Sequence, residues 1–186
     1  MLKTAFVTLA LTVFALAPSR AVQTPAAGAY PMTQAFDAKA EVNGTTVSSV
    51  VTIRVDRLME ENRWKRVSDA LKFGGYSSFY NTLRPLPAIG KIELKARSVD
   101  IKYAREEKNA DGSRLVLASD KPLFFLGETA KSRAGYELTI VELRTDSKGV
   151  VTGEMTGAAR VKPSPEGAVV LDDFADVRVT LTARKP

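Results

Sequence analysis

The chain has 186 residues and contains neither cysteine nor histidine, and its 27 Lys and Arg against 21 Asp and Glu make it mildly basic. Without a thiol there is no disulfide staple, no thiolate chemistry and no acylation on a cysteine. Without an imidazole, Ser-His-Asp triads, Cys-His dyads and histidine-ligated zinc, copper, iron or haem are excluded, which leaves carboxylates as the remaining acid-base groups.

The start of the chain has the shape of a signal peptide. Lys3 precedes an apolar run, Ala5 to Ala17, that Pro18, Ser19 and Arg20 end abruptly. That run is shorter than the roughly twenty residues a membrane span needs, and small residues at Ser19 and Ala21 place the expected cut after Ala21. The expected organisation is therefore a signal peptide over 1–21, a disordered leader over 22–32 and one β-rich domain over 33–186. The expected location is periplasmic or secreted, with no integral membrane segment after cleavage. Lys3 and Arg20 would leave with the leader, and the remaining basic residues alternate with Asp and Glu rather than forming a stripe with aromatics. Nucleic acid is not an expected partner.

From Phe36 the hydrophobic period is two. Phe36, Ala38, Ala40 and Val42 share one face, and Asp37, Lys39 and Glu41 share the other. Asn43-Gly44 supplies the positive φ pair of a tight hairpin, and Thr45 to Val55 returns with Val51, Ile53 and Val55 inward. Asn43-Gly44-Thr45 also spells a glycosylation acceptor, but the turn accounts for it. Asp56 is placed to cap a helix carrying Glu60 and Glu61 early and Arg63, Lys65, Arg66 and Lys72 late, with Trp64, Val67, Ala70 and Leu71 as its apolar stripe. Gly74-Gly75 stops it, and a second short helix, Ser77 to Leu83, ends at Pro85 and Pro87. The expectation is a two-helix hairpin inserted over 56–84.

Alternation resumes with Ile92, Leu94, Ala96, Val99, Ile101 and Tyr103, turns at Asn109-Ala110-Asp111-Gly112, returns through Leu115 and Leu117, and breaks at Pro122. Further strands follow at Tyr136 to Arg144, Val150 to Val161, Ala168 to Leu171 and Val177 to Ala183. The fold class read from this is mainly β: an antiparallel barrel or strongly curved sheet of eight to ten strands holding the helical insertion, with a β-sandwich as the alternative.

No Ser-x-x-Lys, Gly-x-Ser-x-Gly or glycine-rich phosphate loop is present. No catalytic residue, metal ligand or cofactor is assigned, and the reading leans away from an enzyme. Asp172, Asp173 and Asp176 form the densest acidic group, and a turn between strands explains them as well as a cation site or a carboxylate pair does. The aromatic residues are more suggestive. Trp64, Phe73, Tyr76, Phe79 and Tyr80 crowd the helical insertion, while Gly153, Gly157 and Ala159 leave one strand face small, as Ala38 and Ala40 do at the first strand. Either those aromatics fill the space as core, or both sets line an apolar pocket.

Val55-Asp56-Arg57, Leu71-Lys72-Phe73-Gly74-Gly75, Ile101-Lys102-Tyr103-Ala104 and Ala158-Ala159-Arg160-Val161-Lys162 resemble stretches of a family of exported, signal-peptide-bearing bacterial proteins with no assigned function. The resemblance implies export from a bacterial cell and carries no activity onto any residue here. In architecture, helices set into antiparallel strands are similar to fatty-acid-binding and lipocalin-like barrels, although no lipocalin signature is present. Three functions are consistent with the sequence. The first is a binding module for a small apolar or amphipathic ligand, with Trp64, Phe73, Tyr76, Phe79 and Tyr80 as its contacts. The second is an interaction or scaffold module of the cell envelope, working through a sheet edge or the Gly127 to Gly135 loop. The third is a carboxylate-dependent hydrolase built on Asp172 to Asp176.

Overall fold

A computed structural model describes residues 29–110, 112–124, 134–165 and 167–185. The signal-peptide segment, most of the expected leader and most of the Gly127 to Gly135 loop lie outside the described residues. The first two strands, β1 (Ala29–Val42) and β2 (Thr45–Arg57), form one long hairpin. Asn43 and Gly44 join them with φ values of 49° and 75°, the pair a two-residue turn demands. β1 reaches back to Ala29, so the last residues of the expected leader are strand.

Asp56 does not cap the helix. It lies in β2, donating its N–H to the Ile89 carbonyl at 2.9 Å and pairing with Arg54 at 3.1 Å. The helix α1 (Glu61–Leu83) starts after Glu60, which makes no side-chain cap. The two helical segments expected in the insertion are present within α1: they meet at Gly75, where φ 69° and ψ −165° leave the helical region, with no loop between them. Only glycine adopts that conformation readily, so the Gly-Gly signal marks a break with helix directly on both sides rather than a connecting loop.

After α1 come β3 (Gly90–Leu94), β4 (Arg97–Ile101), β5 (Tyr103–Asn109), β6 (Gly112–Ser119), β7 (Leu138–Asp146), β8 (Val151–Pro163), β9 (Val169–Phe174) and β10 (Arg178–Ala183). The alternation read from Ile92 to Tyr103 hides a hairpin at Lys95-Ala96, with φ 53° at Lys95. All pairings are antiparallel, and the sheet runs β4-β3-β2-β1-β10-β8-β7-β6-β5, with β9 attached to the second half of β8. The two end strands of this path, β4 and β5, are consecutive in the chain. Between them the Lys102 N–H donates to the Ala118 carbonyl at 2.9 Å. The result is a nearly closed antiparallel barrel, which hides most of the edges an open sheet would expose.

The barrel interior is one continuous apolar cluster that includes Phe36, Val51, Ile53, Val55, Ile92, Leu117, Val141, Met155 and Leu181, and α1 contributes Val67, Leu71, Phe79 and Leu83 to it. α1 packs against β8 and β5.

Candidate functional site

The five aromatics of the helix do not converge on a shared cavity. Phe79 is fully buried, with its ring 6.4 Å from that of Tyr103 and tilted by 57°. Phe73, six residues before it on the far side of Gly75, is 79% exposed. Trp64 is half-buried under the Arg105 guanidinium, which lies 4.1 Å above its ring and is held there by an ion pair to Glu61 at 2.7 Å. Tyr76 and Tyr80 stack with centroids 6.3 Å apart. The Tyr76 hydroxyl donates to Glu137 at 2.6 Å, and Arg160 lies 5.5 Å from its ring. Burial, then the carboxylate it donates to, raises the Tyr76 hydroxyl well above the usual phenol range, while the hydrogen bond from Tyr76 and the Gly135 N–H hold Glu137 below the usual carboxylate value despite burial opposing them. These are the contacts of a helix clamped to a barrel.

The small residues of β8 are matched by other parts of the chain. A Cβ added at Gly157 would meet the Phe124 ring at 2.7 Å, and one added at Gly153 would meet a Leu143 methyl at 2.7 Å. Phe124 and Leu143, rather than the helix aromatics, occupy that space. What remains is a cleft of about 30 Å³ lined by Ala38, Ala40, Val47, Ser49, Val51 and Phe124 among others.

Asp172 and Asp173 end β9 rather than forming a free turn. Asp172 pairs with Lys162 at 3.2 Å, and Asp173 accepts the Tyr136 hydroxyl at 2.6 Å. They border an open groove of about 340 Å³ on the barrel surface, together with Arg114, Glu142, Arg144, Glu154 and Arg178. Arg114 bridges Glu107 at 3.1 Å and Glu142 at 2.7 Å, and Arg178 pairs with Glu154 at 3.1 Å. Opposite charges satisfy one another across this surface. Among the described residues no group of three or more acidic side chains is arranged to hold a metal ion.

One strand edge differs from all of this. β3 pairs with β2 only from Val51 to Val55, opposite Leu94 to Gly90, so the run Thr45 to Val50 is paired on its β1 side alone among the described residues. Pairing alternates along a ladder. Asp56 directs its N–H toward the β3 side, so the even-numbered Thr46, Ser48 and Val50 direct their N–H and C=O groups toward the unpaired side. This run contains no charged residue and no proline, and its pairing with β1 shows no bulge. Val47 and Val50, both 39% exposed, belong to it. The edges of β4, β5 and β9 carry the charges that usually block strand addition: Arg97 and Asp100, Arg105, Glu106, Glu107 and Lys108, and Asp172 and Asp173. The stretch of β1 that outruns β10, Ala29 to Gln34, is uncharged but holds Pro31 and a register shift. Val47 and Ser49 also line the apolar cleft, which therefore lies beside the open edge. Sequence reasoning named a sheet edge without locating it. The available signal was the uncharged stretch Thr45 to Val50, next to strands whose other faces alternate Asp, Lys and Glu.

No family model, no curated protein and no solved structure matches this chain.

Proposed function

We propose that this protein is an interaction module of the cell envelope that binds an extended segment of another polypeptide by strand addition to the Thr45–Val50 edge of β2. The observation that carries the reading is that β3 stops at Leu94 and leaves an uncharged, bulge-free stretch of β2 with no outer partner among the described residues. Main-chain hydrogen bonds supply affinity in this mode of recognition. Those offered by Thr46, Ser48 and Val50 are worth ~0.5–1.5 kcal/mol each net of water.

Amide hydrogen exchange of the purified protein tests the reading. The amides of Val47 and Ser49, which face β1, should exchange slowly, and those of Thr46, Ser48 and Val50 should exchange at near-unstructured rates. Equal protection of both sets would mean that the edge is already covered, and the proposal would be lost.

A carrier of a small apolar or amphipathic ligand is the second reading, favoured by the apolar cleft beside Val47. At about 30 Å³ the cleft admits a methyl-sized group, whereas ligand pockets span roughly 300–1,000 Å³. This reading therefore requires Phe124 to move. Trp64 is the only tryptophan, and an emission change on titration with fatty acids would support the carrier.

A further inference from the structure

The apolar cleft lies where it would select among strands that add to the β2 edge, and we infer that the segment bound there places a small apolar side chain, of alanine or valine size, over that cleft. This rests on the strand-addition reading above. An incoming strand beside Thr45–Val50 continues the lane that β3 occupies, because β3 lies on the same side of β2 and ends opposite Val51. In that lane Ile92 and Leu94 point inward, Ile92 fully buried and Leu94 packed against the core. Residues directly opposite one another on neighbouring strands share a face. The incoming residues opposite Ser49 and Val47 therefore extend the inward row begun by Ile92 and Leu94.

There they meet a surface made only of uncharged groups: Ala38, Ala40, Val51, Phe124, Met155 and Val179. Its volume, about 30 Å³, accommodates roughly a methyl group beyond the strand's own Cβ. A charged side chain at that position would lose its hydration and find no partner, and an aromatic ring would not fit without displacing Phe124. Residues opposite Thr46, Ser48 and Val50 point to the other face, beside hydroxyls and an exposed valine, so polar groups are tolerated there. The partner class is thus an extended segment alternating small apolar and polar residues, uncharged on its inward face. A second copy of this chain offers a related segment, its own Thr45–Val50 run, which is uncharged and carries Val47 between Thr45 and Ser49 on the inward face.

The experiment titrates the isotopically labelled protein with a synthetic peptide of the sequence Thr-Thr-Val-Ser-Ser-Val-Val-Thr, and with forms of it carrying Asp at each valine in turn, while following the amide signals of Thr46, Ser48 and Val50. The protein variant Ser48→Pro is the control for the edge. Ser48 directs its N–H outward, so the substitution removes an edge donor without removing a bond to β1, and preserved signal dispersion confirms its fold. The expected result is binding of the parent peptide, at least tenfold weaker binding when Asp falls on the inward face, and no binding of any peptide to Ser48→Pro. Equal binding of parent and Asp peptides, still abolished by Ser48→Pro, would overturn the size-and-charge selection and leave strand addition standing. Edge amides that respond to no peptide would remove both. Protection of those amides that rises with protein concentration would identify a second copy as the occupant. It would support the inference if Val47→Asp abolishes it and overturn it if Val47→Asp does not.

Discussion

At Phe73 and Phe79, two phenylalanines of one helix, the same side chain has opposite consequences. Phe79 is sealed against Tyr103, whereas Phe73 stands in solvent with Lys72 beside its ring. Phe79→Ala should cost ~3–5 kcal/mol through cavity formation, and Phe73→Ala should stay within about 0.5 kcal/mol of the parent; urea unfolding of both variants checks the contrast. Tyr103 and Tyr30 have hydroxyls pushed up to about 12, chiefly by burial. Their neutral forms are favoured by the fold, so this contribution is complete below the ordinary phenol value of about 10 and is lost as pH rises from there through about 12. Absorbance titration of tyrosinate should therefore show part of the signal appearing only as the protein unfolds. Glu142 shifts the other way. Hydrogen bonds from Arg114, then Arg144, hold it below the usual carboxylate range against the opposing effect of burial. Its contribution is present above about 4.3 and disappears as pH falls through the lowered value. Arg114→Met should therefore move the acid-unfolding midpoint upward, as read by circular dichroism against pH.

At the scale of elements, the strands were legible wherever alternation and a turn residue agreed. Asn43-Gly44 specified its hairpin because both residues tolerate positive φ. Lys95 adopts positive φ without such a signal, since pairing of β3 with β2 on one side and β4 on the other fixes the turn from outside. For this reason the Ile92 to Tyr103 alternation read as continuous. The helix start was misplaced by a local preference: Asp56 is a good cap in isolation, but the Ile89 carbonyl holds its N–H in the sheet. Gly75 carries the opposite lesson, with local chemistry decisive. Gly75→Ala should destabilise by ~1–3 kcal/mol, because its φ of 69° with ψ −165° suits glycine alone, although a Cβ there would touch nothing within 4 Å. Thermal unfolding distinguishes this from a steric effect, which would also respond to shrinking a neighbour.

On the scale of the whole molecule, the question is how a barrel with consecutive end strands leaves the Thr45–Val50 run of β2 without an outer partner among the described residues. β4 and β5 meet at Lys102, and their edges are charged. The opening lies instead at the far end of the β1–β2 hairpin, which outruns the short β3. The candidate edge is therefore a consequence of strand lengths. The aromatic cluster, the feature most visible in the sequence, is distributed between core, clamp and surface. Gly157 shows why volume could not be read in advance. The space it leaves is taken by Phe124, 33 positions earlier in the chain, and Gly157→Ala should cost ~1–3 kcal/mol by overpacking, with Phe124→Leu relieving part of that cost in the double variant.

Amino-acid order alone determined the antiparallel β class, the first hairpin, the break in the helix and the absence of thiol and imidazole chemistry. Each of these depends on a residue's own conformational preference or functional group. Tertiary structure alone decided which glycine space was filled and by what, where the helix began, and which stretch of backbone lacks a strand partner among the described residues. Those outcomes depend on distances between segments remote in the chain and on the unequal lengths of paired strands, which no local pattern encodes.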